Sequence, residues 1–140
     1  MRSIVVGLNT SAAALCALRW AVGRASSEHA ELRVVTVVAD PLPLAVPFGG
    51  PPMIALDSVE EKTRKWQHDT VLAMLSDVGG DVTVTTVVAM GQPADVLKRQ
   101  SRLADMLVLG ATRRRFRPVV RRCRAGAHCP VVVIDGDRPR

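Results

Sequence analysis

The stretch Gly91–Ala111, GQPADVLKRQSRLADMLVLGA, compresses a turn, a helix and a strand into one short span. Gly91 supplies the turn. Pro93 then stands where the first helical turn tolerates it, because the N–H that proline lacks would have no partner there anyway. The helix is expected to run to about Leu103. Asp95 suits its first turn, where a carboxylate meets the positive end of the helix dipole. Met106–Leu109 follows as a short, continuously apolar strand ending at Gly110, with Asp105 as an acid at its entry. Strands of that kind are buried on both faces, as in a parallel sheet.

Working outward, the same alternation repeats. Ser3–Leu8 (SIVVGL) reads as a buried strand, and Asn9, Thr10 and Ser11 follow as turn and helix-capping residues. A helix is expected over Ala12–His29, with Leu15, Leu18, Val22 and Ala25 at helical spacing. Leu32–Val38 (LRVVTVV) is a second strand. Asp40–Pro52 holds Pro41, Pro43, Pro47, Pro51 and Pro52 with the pair Gly49–Gly50, a density that neither helix nor sheet survives. A loop is expected there. Ser58 and Glu61 have capping-box spacing and open a helix to about Asp77, with Val59, Trp66, Thr70 and Ala73 inward and Gly79–Gly80 ending it. Val82–Ala89 is a third strand. A short helix is expected near Val119–Ala125, then a last strand, Val131–Ile134, and a polar tail, Asp135–Arg140.

The order βαβαβαβαβ predicts an α/β fold, a doubly wound, five-stranded parallel sheet sandwiched between helices. No repeat or linker divides the chain, so one domain over residues 1–140 is expected. The 140 residues, 48% hydrophobic and 3% aromatic with no Tyr, suffice for a core of Val, Leu, Ile and Ala without disulfides or metals. No run reaches the roughly 18–20 apolar residues of a membrane span, and the N-terminus lacks the long apolar core of a secretory signal. The expected compartment is the cytoplasm. Cys16, Cys123 and Cys129 form no CxxC pair and no ligand cluster with His, so they read as small apolar residues and no metal site is expected.

The net charge of +6 is local: Arg113, Arg114, Arg115, Arg117, Arg121, Arg122 and Arg124 stand together without an acid, and the other 12 basic residues meet 13 acids. Only Phe116 offers stacking in this run, and no nucleic-acid-binding motif accompanies it, so nucleic acid is not the expected partner.

Four segments carry a resemblance to the universal stress protein family. They are IVVGLNTS (Ile4–Ser11) with ALRWAVGRA (Ala17–Ala25), LRVVTVV (Leu32–Val38), GQPADVLKRQSRLADMLVLGA (Gly91–Ala111) and HCPVVVI (His128–Ile134). The resemblance implies a five-stranded parallel α/β sandwich, related to the adenine nucleotide α-hydrolase folds and homodimeric through its last strand. That strand here is Val131, Val132, Val133 and Ile134.

The family divides into members that bind ATP and members that do not. ATP-binding members carry Gly-x2-Gly-x9-Gly-Ser/Thr after the fourth strand, where backbone N–H groups of a glycine-rich turn cradle phosphate. Gly110 matches the first glycine, and Arg113 takes the place of the second. The Gly-Ser/Thr pair falls on Cys123–Arg124 counting forward, or on Arg117–Pro118 counting back from Cys129–Pro130 with a shortened loop. The motif is broken either way. Asn9 stands where the family commonly has an Asp contacting the nucleotide, and Val38 near the adenine-side position.

The expected function is therefore a non-enzymatic stress-response protein acting by dimerisation or protein-partner binding, without ATP and without a cofactor. The alternative is a sensor binding ATP or another adenine nucleotide weakly, or an anion, at the carboxyl edge of the sheet. Arg113, Arg114 and Arg115 would then act as side-chain donors in place of the lost cradle, beside Asn9, Val38 and Gly110. No catalytic residues are expected: His29, His68 and His128 are scattered, and Ser11 is most simply a cap.

Overall fold

A computed structural model describes residues 2–39, 52–111 and 117–136 of the chain, with the side chains of 52–57 and 117 left aside. Five strands, β1 (Ser3–Gly7), β2 (Glu31–Val38), β3 (Val84–Met90), β4 (Met106–Ala111) and β5 (Val131–Asp135), alternate with four helices. The helices are α1 (Ala12–Glu28), α2 (Pro52–Val78), α3 (Pro93–Gln100) and α4 (Arg117–Gly126), and a 3-10 turn, Ser101–Leu103, follows α3. All strands pair in parallel, in the order β3-β2-β1-β4-β5.

Strand periodicity divides the core into two layers. Val6 lies opposite Val34 of β2 and Val108 of β4, and Val108 lies opposite Val132 of β5. That row faces α1 and α2, where Ala17, Leu18, Ala21, Val22 and Val71 pack onto it. Val5, Val35, Leu107 and Leu109 point the other way, against Val96 and Leu97 of α3 and Val120 and Cys123 of α4. Successive side chains of a strand point to opposite faces, so a run such as IVV serves both layers at once.

α1 starts where the sequence places it. Ser11 caps it, its Oγ accepting from the backbone N–H of Ala14 at 3.1 Å, while Asn9 Oδ1 accepts from the backbone N–H of Ser11 at 2.9 Å. At the other end His29 adopts a left-handed conformation, φ 52°, which lets the N–H groups of His29 and Ala30 reach the carbonyl of Ala25.

α2 differs from its expectation. It begins at Pro52, and Ser58 lies inside the helix. Proline's fixed φ suits a first helical position, so Pro52 is a start signal here and not a loop residue. Residues 40–51 of the expected loop lie outside the described residues. The inward stripe is also rotated from the expected one: Gln67 and Val71 are buried, with Trp66, Met74, Leu75 and Val78 packed beside them. Val59 is 47% exposed, and Ala73 is exposed too. Likewise Leu15 of α1 is 37% exposed, because the small residues Ala14, Ala17 and Ala21 let the helix axis approach the sheet over a different stripe.

α3 gives way to the 3-10 turn at Ser101, whose buried hydroxyl donates to the carbonyl of Lys98 at 2.6 Å and accepts from the backbone N–H of His128 at 3.0 Å. One side chain thus ties the end of α3 to the approach to β5.

Candidate site at the carboxyl edge of the sheet

The strand order reverses direction between β1 and β4. The chain leaves β1 toward β2 on one side, and β4 and β5 lie on the other. Diverging connections open a crevice at such a switch point, beyond the carboxyl ends of the strands. Here the crevice measures about 160 Å³ and is walled by Val35, Val37, Leu97, Leu109, Val119 and Val120, with Asn9 and Gly110 at its rim. Among the described residues Asn9 is the only polar side chain in its lining. A second, more open pocket of about 410 Å³ lies between the start of α1 and α2, and Asn9 lines it as well, together with Val38, Lys62, Thr63 and Trp66.

The structure therefore brings Asn9 together with Gly110 on one side and with Val38 on the other. Asn9 is the hinge between the two pockets. Its Oδ1 is engaged by the Ser11 N–H, which fixes the turn and the entry angle of α1. The amide adds an N–H2 donor pair to what it can offer a ligand, where an ionised Asp would offer only acceptors. Val38 ends β2, and its carbonyl accepts from the N–H of Gly91 at 3.0 Å. Arg113, Arg114 and Arg115 lie outside the described residues.

Gly110 has a role the motif comparison does not supply. A Cβ at this position would lie 2.1 Å from the carbonyl oxygen of Ala13 and 2.7 Å from the backbone nitrogen of Ala14. β4 ends hard against the backbone of the first turn of α1. Gly136, just beyond β5, meets Ala13 in the same way, at 2.5 Å from its Cβ. The glycine is needed for helix–strand packing whether or not phosphate approaches.

Among the described residues, chemistry-bearing groups do not converge here. The Ser11 hydroxyl is occupied by its cap. His128 Nε2 accepts from Arg102 Nε at 3.4 Å on the surface, far from Ser11 in the chain and in role. Among the described residues, no group of three or more His, Cys, Asp or Glu side chains could hold a metal ion. Burial pushes the Cys123 thiol up from its ordinary value, with Lys98 and Arg122 opposing, and burial followed by Asp105 does the same to Cys129. Both are held as neutral thiols, as inert core cysteines are.

Two parts of the site escaped the sequence reading. Val119 and Val120 roof the crevice, and Lys62, Thr63 and Trp66 wall the second pocket. The first pair carries a signal, since Val120 and Cys123 stand three apart on a helix otherwise rich in arginine. The second set comes from a helix whose inward stripe the sequence placed differently.

At the edge of the sheet, β5 pairs only with β4 among the described residues. Ile134 is buried, while Val131, Val132 and Val133 are half-buried. This agrees with the expected position of the closing strand.

A parallel five-stranded sheet, helices on both faces and a crevice at the β1/β4 switch point define an α/β protein of the nucleotide-fold type. Within that class the chain belongs to the universal stress protein family, whose family model matches residues 1–135. A universal stress protein of Mycobacterium tuberculosis is 34% identical over 139 residues. That match takes in 95% of this chain and 48% of the relative, so the chain spans about half the length of the curated relatives it matches. A universal stress protein family structure from Burkholderia pseudomallei is 29% identical, covers 94% of each chain and superposes with a TM-score of 0.74. A family protein from Arabidopsis thaliana with AMP bound is 20% identical, over 96% of this chain and 91% of that one, with a TM-score of 0.64. Among the described residues, no helix is long and apolar enough to cross a membrane.

Proposed function

We propose that this chain is a non-enzymatic stress-response protein of the cytoplasm, folded as one domain over residues 1–140, that acts as a homodimer or by binding a protein partner. The observation that carries this reading is the edge strand β5. Three half-buried valines stand at the rim of the sheet, where β5 has β4 as its one neighbour among the described residues. Edges of this kind are covered or paired in functional proteins, and a two-fold axis lets β5 meet its own copy. The crevice supports the other half of the reading. Among the described residues its walls are apolar and its polar side chain, Asn9, is neutral, so these residues bring no positive charge to a triphosphate. Light scattering at tens of micromolar protein tests the assembly: a dimer is expected, and a monomer overturns the β5 interface.

A second reading has its own support. The crevice sits at the switch point, where nucleotides bind in folds of this kind, and the Arabidopsis neighbour holds AMP. The chain would then sense an adenine nucleotide or an anion, with Asn9 and Val38 toward the base and Arg113, Arg114 and Arg115 toward phosphate. Replacing those three arginines with alanine would abolish a phosphate-dependent rise in melting temperature, because a ligand that binds only the native state must raise it. A rise that survives the triple replacement rejects the arginines as its source.

A further inference from the structure

We propose that the outer face of α3 and α4 binds the phosphate backbone of double-stranded nucleic acid without reading sequence. The proposal uses neither the β5 edge nor the crevice, and stands or falls apart from both.

Charge is divided between the two helical layers. α1 and α2 together hold five basic residues and six acids. Three of those five cations are paired within this layer, Arg19 with Asp77, Arg24 with Glu28 and Arg64 with Glu60, and the acids outnumber them. α3, the 3-10 turn and α4 hold seven basic residues against one acid, Asp95. Asp95 is shared by Lys98 at 3.6 Å and Arg122 at 3.1 Å. Arg99, Arg121 and Arg124 are exposed and make no ion pair among the described residues. The two helices pack on each other, so these cations form one surface: the Lys98 chain lies against Gly126 at the end of α4.

The kind of partner follows from what the face lacks. Its apolar residues, Val96, Leu97, Val120 and Cys123, are turned into the core. Leu103, 81% exposed at one end, is the only large apolar side chain these segments leave exposed among the described residues. A protein interface wants an apolar centre with aromatic anchors, and the described residues of this surface include no aromatic side chain. The lack of stacking aromatics that argues against base readout leaves backbone binding untouched, because phosphate contacts position a protein without carrying sequence information. Arginine's planar fork also matches phosphate oxygens in pairs, and arginine dominates this surface.

Fluorescence anisotropy of a labelled duplex of about 20 random base pairs tests this. If about four phosphates are engaged, affinity falls about a hundredfold between about 50 and about 200 mM salt. The triple variant Arg99→Gln, Arg121→Gln, Arg124→Gln flattens the slope of log affinity against log salt by about 2 to 3, since each lost phosphate contact removes about one. The opposite-face control Arg24→Gln, Arg64→Gln leaves the slope unchanged, and unchanged far-ultraviolet circular dichroism verifies the fold of both. Any of three results overturns the proposal: no binding at about 50 mM salt, a slope indifferent to the triple variant, or equal binding of polyglutamate or phosphatidylserine vesicles in place of the duplex.

Discussion

Gly110 and Ala13 are in backbone contact: a methyl group added to Gly110 would come within 2.1 Å of the Ala13 carbonyl oxygen. The obstacle is backbone at the start of a helix, which cannot swing aside as a side chain tip can. Gly110→Ala therefore forces β4 and α1 apart. Overpacking of this kind costs about 1–3 kcal/mol or more. Thermal unfolding without any nucleotide should show a melting temperature lower by several degrees. A variant that keeps the wild-type melting temperature would assign Gly110 to ligand approach alone.

The three thiols should separate by reactivity. Cys16 is exposed on α1, while Cys123 is buried and Cys129 is half-buried. Burial raises the pKa of Cys123 and Cys129 above 9.0, and thiolate is the reactive form. A thiol-specific chromogenic reagent near pH 8 should modify one cysteine quickly, and Cys16→Ser should remove that fast phase. The pH dependence has a definite sign. Below the unfolded value both states carry neutral thiols and nothing changes. As pH rises above 9.0 the unfolded chain loses these protons while the folded one keeps them, so stability falls. Cys123→Ala should shrink that alkaline loss. Its persistence at full size would place the cause elsewhere.

Triphosphate binding should be weak. Among the described residues Asn9 is the only polar side chain lining the switch-point crevice, and its Oδ1 is already held by the Ser11 N–H at 2.9 Å. The glycine cradle is interrupted by Arg113 in the sequence. Calorimetric titration with ATP, with and without magnesium, is expected to give a dissociation constant no tighter than about 1 mM, near −4 kcal/mol. A micromolar value would overturn the expectation and favour the sensor reading.

The sheet was legible because its strands are continuous β-branched runs bounded by turn residues. Ile4–Val6 and Leu107–Leu109 read as doubly buried strands, and they are. The capping pair Asn9 and Ser11 was legible because capping is local chemistry. The body of α2 was legible, but its start and its inward stripe were not, since a weakly amphipathic helix shows little of which stripe it will bury. Gln67 illustrates this: a polar residue by type, it is 2% exposed and donates through Nε2 to the Val87 carbonyl at 2.9 Å and Thr36 Oγ1 at 3.0 Å. Those acceptors lie on β2 and β3, remote in sequence, so no local pattern announces them. The site divides along the same line. Asn9, Val38 and Gly110 lie at or near the carboxyl ends of β1, β2 and β4, and the family resemblance is what named them. Trp66 and Lys62 enter the second pocket through tertiary packing alone.

The β5 interface makes the last prediction. Among the described residues β5 pairs with β4 alone, and Val132 lies opposite Val108 in that ladder. Its side chain packs on the layer formed by α1 and α2, half-buried at the rim. A second copy meeting β5 antiparallel would bury the exposed half of Val132 beside its symmetry mate. Val132→Lys sets two ammonium groups near the two-fold axis, where like charges repel and lose water. The dimer should weaken by about 3 kcal/mol, more than a hundredfold in dissociation constant. Because lysine's long stem can carry its charge out of the monomer's rim, the single protomer should keep its fold. Far-ultraviolet circular dichroism checks that, and light scattering reads the mass. A folded variant that stays dimeric at micromolar concentration would move the interface away from β5.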